Sequence, residues 1–451
     1  MRRIGYLRLA VSSLVLAVTA SAATRPHYGG TLRVEMRAAP ASLDPVQAEA
    51  SGTGNLSRLV FDTLVRLDDR GIVQPGLATS WTAESGNLRW HFVLRPGVTF
   101  QDGSTLTAEI AAASLRAANP QWKVFASEDS VIVEFDLAME SPAILALPRN
   151  GIAKRVGGTL VGTGPFAVGQ WQPGKELTLS ANNDYWDGRP FLDSIEVDFG
   201  KSFRDQMIAL DLGNAEVIEI PPEQARHALA ENRRVESSAP VELMALEFSR
   251  APGTEDEGQL RQALGLSIDR NLLNNVMLQG GGEPTASLLP EWMTGYAFLF
   301  PASVDLPRAR QITGSLRQPA PWTLAYDGSD PVSRVVAERI ALNARDAGLA
   351  INLTTSSAAD IRLLRIPLAS LDAPVALSGL AAALGLPQPK INGAGPEDLY
   401  TAESALLQSQ RIIPLLHLRV SYGLSKSVHN WSSGPGGEWE LPQVWLGGGQ
   451  P

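Results

Sequence analysis

Metal binding is the first chemistry that the residue types could support, because the chain has five histidines, although it has no cysteine. The histidines are His27, His91, His227, His417 and His429. No two of them have the His-x-x-x-His or His-Glu-x-x-His spacing that brings two imidazoles together on one helix. The sequence therefore predicts no bound metal and no other cofactor. A metal site assembled only by the fold stays open, and His417 is its best candidate because it lies on a predicted strand.

Catalytic motifs are also missing from the sequence. It contains no Gly-x-Ser-x-Gly turn for a serine nucleophile and no zinc-protease helix motif. Its 47 carboxylates show no spacing that marks a catalytic pair. The sequence thus predicts that the protein is not an enzyme, and a secreted hydrolase with a site built by the fold is the weaker alternative.

Three polar motifs are typical of local structure rather than of a site. GTGPF (162–166) lacks the lysine and the following helix of a phosphate loop, so we expect a structural turn. YWDG (185–188) is expected to be a turn packed against its own domain. The Asp269-Arg270 pair is expected to brace a helix locally.

Strands alternate with helices along the chain, and this order predicts an α/β fold. Residues 88–95 alternate apolar and polar side chains at the period of a half-buried strand. Capping residues and apolar periodicity predict helices over 108–118, 260–278 and 330–348. A strand over 349–353 should follow the last of these helices.

Two strand-like segments, 236–250 and 412–418, could join two halves of the molecule. Two such crossings would form a hinge, and a hinged cleft can close on a ligand. Side chains near the crossings should face this cleft, where guanidinium, hydroxyl and aromatic groups could bind a polar solute. The candidates at the crossings are Ser249, Arg250, His417 and Tyr422.

Residues 1–22 have the layout of a secretory signal peptide. Three arginines flank the start of an apolar run from Leu9 to Ala20, and Ala-Ser-Ala at 20–22 offers a cleavage site. Because a lipoprotein needs a cysteine after its signal, we expect a free periplasmic protein. Loss of this segment would change the formal net charge from −9 to about −12. Such an acidic chain is not expected to bind nucleic acid.

An ordered set of short segments carries the strongest functional signal. The segments are GGTLRVE (29–35), LDP (43–45), LATSW (77–81), LRPGVTFQDGSTLTAE (94–109), GTGPF (162–166), NNDYWDGRPFLDSIEV (182–197) and LRQALGLSIDR (260–270). In order and spacing they resemble family 5 of the extracellular solute-binding proteins, which serve peptide and nickel ABC importers. The resemblance implies an α/β, two-lobed periplasmic binding protein-like fold (type II, with a hinged cleft). It also implies a subdomain inserted in the first lobe.

The resemblance further implies a function and a division of the chain. We expect a monomeric receptor that captures a short peptide or similar polar solute by hinge closure and delivers it to ABC permease subunits. The expected segments are a signal peptide (1–22), a first lobe (23–247) with an insert at about 45–155, a second lobe (248–424) and a C-terminal return (425–451).

Departures from the family pattern affect the expected pocket. The family's Trp-x-x-Asp ligand segment has only a weak counterpart in SLDAP (370–374), which has no tryptophan but keeps Asp372. Trp292 and Tyr296 follow GGGEPTASLLP (280–290), which is similar to a family loop, and they complete the candidate ligand-binding set with Asp372. These departures also leave open a degenerate scaffold that acts as a sensor or protein-interaction module.

Overall fold

The computed structural model describes residues 25–47, 53–84, 86–317, 320–391, 393 and 395–447. The expected signal peptide, residues 1–22, lies outside the described residues. Within the described part of the chain, no helix is both long enough and apolar enough to span a bilayer.

The described residues form strands, α-helices and a few shorter helical turns. The strands β1 to β21 are Thr31–Glu35, Val65–Leu67, Val73–Pro75, Ala78–Ala83, Arg89–Leu94, Lys123–Ser127, Ser130–Glu134, Lys154–Val156, Thr159–Val161, Phe166–Gln172, Glu176–Ala181, Ser194–Asp198, Val217–Ile220, Arg234–Phe248, Gly282–Pro284, Trp322–Ala325, Ile351–Thr354, Ile361–Pro367, Ile412–Leu424, Val428–His429 and Trp445–Leu446. The helices α1 to α11 are Thr53–Val60, Ala108–Ala118, Phe203–Asp211, Pro222–Ala230, Glu255–Ser267, Arg270–Leu272, Glu291–Thr294, Leu306–Ser315, Pro331–Asp346, Ala373–Ala383 and Pro396–Gln408. A π-helical turn covers Leu273–Met277, and 3-10 turns cover Pro45–Gln47, Pro142–Ala146, Pro148–Asn150, Ala297–Leu299 and Leu441–Gln443.

One mixed sheet of eleven strands runs through the molecule. Its order is β10-β11-β12-β1-β13-β19-β14-β18-β16-β17, with β15 paired to β19. Strand β1 is parallel to β12 and β13, and β16 is parallel to β17 and β18. Parallel neighbours need crossover connections, so each parallel group carries its own helices. The long antiparallel strands β14 and β19 lie between the two groups.

Within the part of the chain that the structure describes, the crossings between the two groups are two, in β14 and in β19. We call the elements from β1 to α4, together with the segment after β19, the first lobe. We call the elements from α5 to α11 the second lobe. Strands β14 and β19 join the lobes, and the register of their pairing shifts between Ser237 and Glu242. A two-strand connection with interrupted pairing can act as a hinge. The predicted two-lobed α/β fold is thereby confirmed, while the expected residue boundaries of the lobes remain a prediction.

Each lobe has its own apolar core. Strands β1, β11 and β12 bury Leu32, Leu177 and Ile195 in the first lobe. In the second lobe, one core lies under α5 and α9 and another lies under α10 and α11. A separate four-stranded sheet, in the order β4-β5-β7-β6, packs with α2 around a core that extends from Leu64 to Ile152. This sheet is the inserted subdomain.

Two predicted helices and one predicted strand occur where the periodicity placed them. Thr107 caps α2, because its side chain accepts a hydrogen bond from the Ile110 amide at 3.4 Å. Asp330 caps α9 in the same way through Val332. Strand β5 buries alternate side chains. Leu88 precedes this strand and is exposed, because the strand begins one residue later than expected.

The helix predicted over 260–278 is interrupted. Helix α5 ends at Ser267, and the Asp269 side chain then accepts a hydrogen bond from the Leu272 amide at 2.9 Å, which starts a new helix. A π-helical turn follows α6 and leaves Val276 exposed, although the helical period placed it inward. Asp269 is therefore a capping residue, which agrees with the local role expected for the Asp269-Arg270 pair.

Candidate functional site

A cavity of about 330 Å³ lies between the two lobes. The first lobe supplies most of its wall, through residues 58–69 that include the end of α1, through Tyr185 and Asp187, and through part of 434–443. Of the described second-lobe residues, 369–371 line the cavity, and they follow β18 and precede α10. Two lobes around one cavity are the arrangement that lets closure enclose a solute.

The two lobes touch beside the cavity at Gly71. A Cβ atom built on this glycine would lie 2.6 Å from the carbonyl oxygen of Leu371 in the second lobe. The backbone of Gly71 also has a φ of 76°, which other residues adopt only with strain. This glycine allows the lobes to approach at this point.

Asp62 is the centre of a hydrogen-bonded network in the first-lobe wall. Its carboxylate accepts bonds from the Tyr185 hydroxyl at 3.1 Å, the Trp186 indole at 2.9 Å and the Thr163 hydroxyl at 3.1 Å. Burial raises the pKa of Asp62, whereas the guanidinium of Arg66 and the three donors lower it. We call these five residues the Asp62 network.

Arg66 links the Asp62 network to the YWDG turn. Its guanidinium lies 3.6 Å from Asp62 and 3.2 Å from Asp187, and it donates to the Tyr185 hydroxyl at 3.0 Å. It also lies over the Trp186 ring, 4.8 Å from the centroid, in a cation–π contact. The YWDG turn is thus held within its own lobe, as expected, and two of its side chains also line the cavity.

Acidic side chains form the rim of the cavity. Glu438 lies 3.9 Å from Arg58. Asp69 and Glu440 are exposed, and neither side chain has a hydrogen-bond or ion-pair partner in the part of the chain that the structure describes. Although Glu440 is exposed as a residue, the chain around its carboxyl group withdraws that group partly from water and raises its pKa, and the carboxylates of Asp69 and Glu438 raise it further. These three acids therefore lie close enough to repel one another.

A second set of charges lies between the lobes near the crossing strands. We call it the interlobe charge cluster. Its members are Arg37, Glu219 and Glu223 from the first lobe, Glu242 from β14, and Asp330 and Arg365 from the second lobe. Arg365 pairs with Glu242 through Nε at 3.0 Å, and Glu219 accepts a hydrogen bond from the Arg37 amide at 2.6 Å.

In this cluster, charges of the second lobe affect the pKa values of acids in the first lobe. Burial raises the pKa of Glu223, and Asp330 of the second lobe raises it further, whereas Arg365 and Arg37 lower it. Burial likewise raises the pKa of Glu219, which Arg37 and Arg365 lower. Arg365 thus acts on two first-lobe acids.

Two of the sequence-predicted residues lie at the far end of β14. Ser249 and Arg250 are exposed, and Arg250 pairs with Glu257 at 3.0 Å. The register shifts that mark the crossing lie earlier in β14, at 237–242, because this strand continues from the crossing to the opposite end of the second lobe. Neither residue lines the cavity.

Three further candidates are buried. Tyr296 donates to Glu403 at 2.8 Å, and the Nε2 atom of His417 donates to the Leu288 carbonyl at 3.0 Å. Burial lowers the pKa of His417 to about 4, so the ring is neutral at neutral pH. Tyr422 packs against Trp431 and Trp439, with ring centroids 5.7 Å apart in each pair.

The last two candidates lie closer to the cleft. The Trp292 indole donates to the Pro240 carbonyl at 2.9 Å, so it contacts the crossing itself. Asp372 caps α10 by accepting from the Val375 amide at 3.0 Å, and it directly follows the three second-lobe residues of the cavity wall. Ligand contact by any of the seven candidates stays a prediction.

The strongest cavity-lining charges were not singled out from the sequence. Asp62, Arg66 and Asp69 come from FDTLVRLDDR (61–70), and Glu438 and Glu440 come from the C-terminal segment. The one available signal was the density of charge in 61–70 within an otherwise apolar stretch. Among the described residues, no group of three or more His, Cys, Asp or Glu side chains could hold a metal ion.

Comparison with known proteins identifies the family. The sequence model of the bacterial extracellular solute-binding proteins, family 5 (middle), matches residues 73–393. The chain belongs to this family. Members are periplasmic or extracellular binding proteins, not enzymes, and they serve ABC importers.

Individual relatives show how far the likeness extends. The chain is 24% identical over 400 residues to the probable D,D-dipeptide-binding periplasmic protein DdpA of Escherichia coli, covering 80% of this chain and 77% of that protein. It is 25% identical to the nickel-binding periplasmic protein of Escherichia coli, covering 65% of each chain.

A solved structure supports the fold. The binding protein DppA from Helicobacter pylori, in complex with the peptide STSA, has a TM-score of 0.80 and 17% identity. The match covers 93% of this chain and 99% of that one. The fold of that structure is therefore shared by nearly the whole chain.

Proposed function

We propose that this protein is the periplasmic receptor of an ABC importer, which binds a short peptide or similar polar solute and delivers it to permease subunits. The observation that carries the proposal is the cavity of about 330 Å³ between two lobes, which two strands connect in the described structure. The protein would act as a monomer and perform no chemistry on the solute.

The size of the cavity favours a small solute. Ligand pockets in proteins commonly range from about 300 to about 1,000 Å³, so this cavity is at the small end of that range. A dipeptide or tripeptide suits such a volume better than a long peptide does. Polar side chains of the first-lobe wall, such as those of the Asp62 network, would fix its orientation.

Closure of the lobes would enclose the bound solute, and opening of the lobes would release it. In an open state, residues 369–371 would move away from the first-lobe wall and expose the cavity. A solute that contacts both walls would favour the closed state only by its differential affinity for that state. The contact between Gly71 and Leu371 marks where closure brings the lobes together.

Substitution of Gly71 by alanine tests the closure directly. The added Cβ would meet the Leu371 carbonyl in the closed state but not in an open state, so Gly71→Ala should weaken peptide binding by about tenfold. Titration calorimetry with pooled dipeptides and tripeptides would measure this loss.

A matched control is available at Gly97. It has a φ of 77°, and a Cβ there would meet no atom within 4 Å. Gly97→Ala should therefore cost similar backbone strain and leave peptide affinity unchanged. Equal affinities for both variants and the wild type would contradict the closure, and no binding of any peptide by the wild type would contradict the proposed receptor.

The second candidate function is a degenerate scaffold that acts as a sensor or protein-interaction module. It is favoured by the second-lobe wall, in which Ala369, Ser370 and Leu371 offer neither a charge nor an aromatic ring. Such a wall gives a solute few specific contacts. A small molecule retained in the purified protein would count against this alternative.

A further inference from the structure

The lining of the interlobe cavity is strongly acidic. Six carboxylates and two arginines line it, whereas the whole chain has 47 carboxylates and 38 lysines and arginines. The excess of acidic over basic side chains in the cavity is therefore much larger than the composition of the chain predicts. All of these charged residues belong to the first lobe, because the second lobe contributes only residues 369–371.

Both arginines of the lining are already paired with acids. Arg66 lies between Asp62 at 3.6 Å and Asp187 at 3.2 Å, and Arg58 lies 3.9 Å from Glu438. An anionic solute would have to compete with these acids for either guanidinium. Among the described residues that line the cavity, no cation is thus free to receive a carboxylate or phosphate group.

Two acids of the rim, Asp69 and Glu440, are not paired with an arginine or any other described basic side chain. The side chains of Asp69 and Glu440 make no hydrogen bond or ion pair with any other residue among those described, and the raised pKa of Glu440 reflects burial and its acidic neighbours. A positive charge placed beside them would relieve the repulsion between these carboxylates.

The interlobe charge cluster also has more acids than arginines, and it consists of residues other than those that line the cavity. It contains four acids and two arginines on different elements, and one of these arginines is held by Glu242. Both charged regions between the lobes therefore disfavour an anionic solute and favour a cationic one.

We infer that the solute is an organic cation, whose amine or guanidinium group lies beside Asp69 and Glu440 at the rim of the cavity. This inference rests on the proposed function and adds the substrate class. A bare metal ion fits less well, because the described residues contain no group of three or more metal-ligating side chains and such ions usually take at least three protein ligands.

Three tripeptides that differ only in the charge of the central side chain would test the inference. Titration calorimetry with Ala-Lys-Ala, Ala-Gln-Ala and Ala-Glu-Ala should show the tightest binding for the lysine peptide and the weakest for the glutamate peptide. We expect about a fivefold difference at each step, since partly exposed charge pairs contribute up to about 1 kcal/mol each. The preference should shrink as ionic strength rises.

The double variant Asp69→Asn/Glu440→Gln tests whether these two acids cause the preference for the lysine peptide. It should bind the lysine and glutamine peptides with nearly equal affinity. The control Glu338→Gln/Asp346→Asn makes the same charge change at exposed positions of α9 and should keep the wild-type preference.

The possible outcomes separate this inference from the proposed function. Binding of the glutamine or glutamate peptide as tightly as the lysine peptide would overturn the inference and leave the receptor intact. A preference that survives in the double variant would overturn the placement at Asp69 and Glu440. Absence of binding by all three tripeptides would overturn the peptide receptor, and the inference with it.

Discussion

Asp62 in the first lobe and Glu403 in the second lobe are buried carboxylates that each accept three hydrogen bonds, and they differ in what lies beside them. Asp62 of the first lobe has the arginine Arg66 at 3.6 Å and lines the cavity. Glu403 of the second lobe is fully buried and accepts from the Leu288 and Leu289 amides and the Tyr296 hydroxyl. No described cation pairs with Glu403.

The difference shows how similar hydrogen bonding can serve two purposes. Burial raises the pKa of Glu403 to about 7, because hydrogen bonds alone do not replace the lost hydration of a carboxylate. Glu403 holds the chain around residues 288–296 and is a structural residue. The Asp62 network lines the cavity through Asp62, Arg66 and Tyr185, and Arg66 lowers the pKa of Asp62 against the effect of burial, so these side chains can meet a solute.

The largest effect is expected from Glu403→Ala. It would leave two buried amides and a buried hydroxyl without an acceptor, so the free energy of unfolding should fall by about 4 kcal/mol. Glu403→Gln keeps an oxygen for the amides and should change stability by about 1 kcal/mol or less at pH 4.5, where Glu403 of the folded protein is still protonated. Urea unfolding of both variants would measure this, and a mild effect of the alanine variant would show that water reaches these donors.

Asp62→Ala should cost less stability than Glu403→Ala. Its donors lie near the cavity, where water can replace part of the lost bonding, so we expect a loss of about 3 kcal/mol. The same variant should weaken peptide binding at least fivefold, whereas Glu403→Gln should not. If both variants changed affinity equally, the proposed division between a site network and a structural network would be wrong.

The pH dependence of stability provides a third test of the second-lobe network. The pKa of Glu403 is raised from 4.5 to about 7, so its contribution to stability is present below 4.5 and is lost as the pH rises through 7. The pKa of His417 is lowered from 6.5 to about 4, so its contribution is present above 6.5 and is lost as the pH falls through 4. Between pH 4.5 and 6.5 the two slopes oppose each other.

Glu403→Gln removes one of these opposing slopes. Its free energy of unfolding should therefore rise between pH 4.5 and 6.5 by about 2 kcal/mol more than that of the wild type. Urea titrations at several pH values would measure both curves. Parallel curves would show that Glu403 does not titrate in this range in the folded protein.

The smallest effect is expected at the crossing. Trp292→Phe removes the hydrogen bond to the Pro240 carbonyl but keeps most of the apolar contact, so we expect a loss of about 1 kcal/mol. Amide hydrogen exchange should increase at residues 238–242 and remain unchanged elsewhere. Trp81→Phe, in the inserted subdomain, is the control that should leave the crossing unaffected.

Local periodicity and capping residues were enough to predict several of the elements. The alternation in β5 and the caps of α2 and α9 depend on neighbouring residues only, so the sequence shows them directly. The break at Asp269 was missed, because an acid in a helical pattern can also be the cap of a second helix. The two crossing strands were predicted, but not which part of each strand lies between the lobes.

The candidate site could be predicted only in part, for a physical reason. Tyr296, His417 and Tyr422 have polar atoms that a protein core can satisfy. The position of His417 and Tyr422 near a predicted crossing, and of Tyr296 after a loop similar to a family loop, therefore did not decide their role. The cavity combines six separate stretches of chain, near residues 62, 146, 165, 185, 370 and 438. No pattern in one stretch indicates that the others will meet it, and the family resemblance indicated a cleft rather than these side chains.

Native mass spectrometry of the protein, purified from its host without denaturation, tests the central claim most directly. The account predicts a retained small molecule, seen as a mass excess that disappears on denaturation, and a smaller retained fraction for Gly71→Ala than for Gly97→Ala. A bare wild-type protein that gains no mass from dipeptide and tripeptide pools would contradict a solute receptor with a closing interlobe cavity.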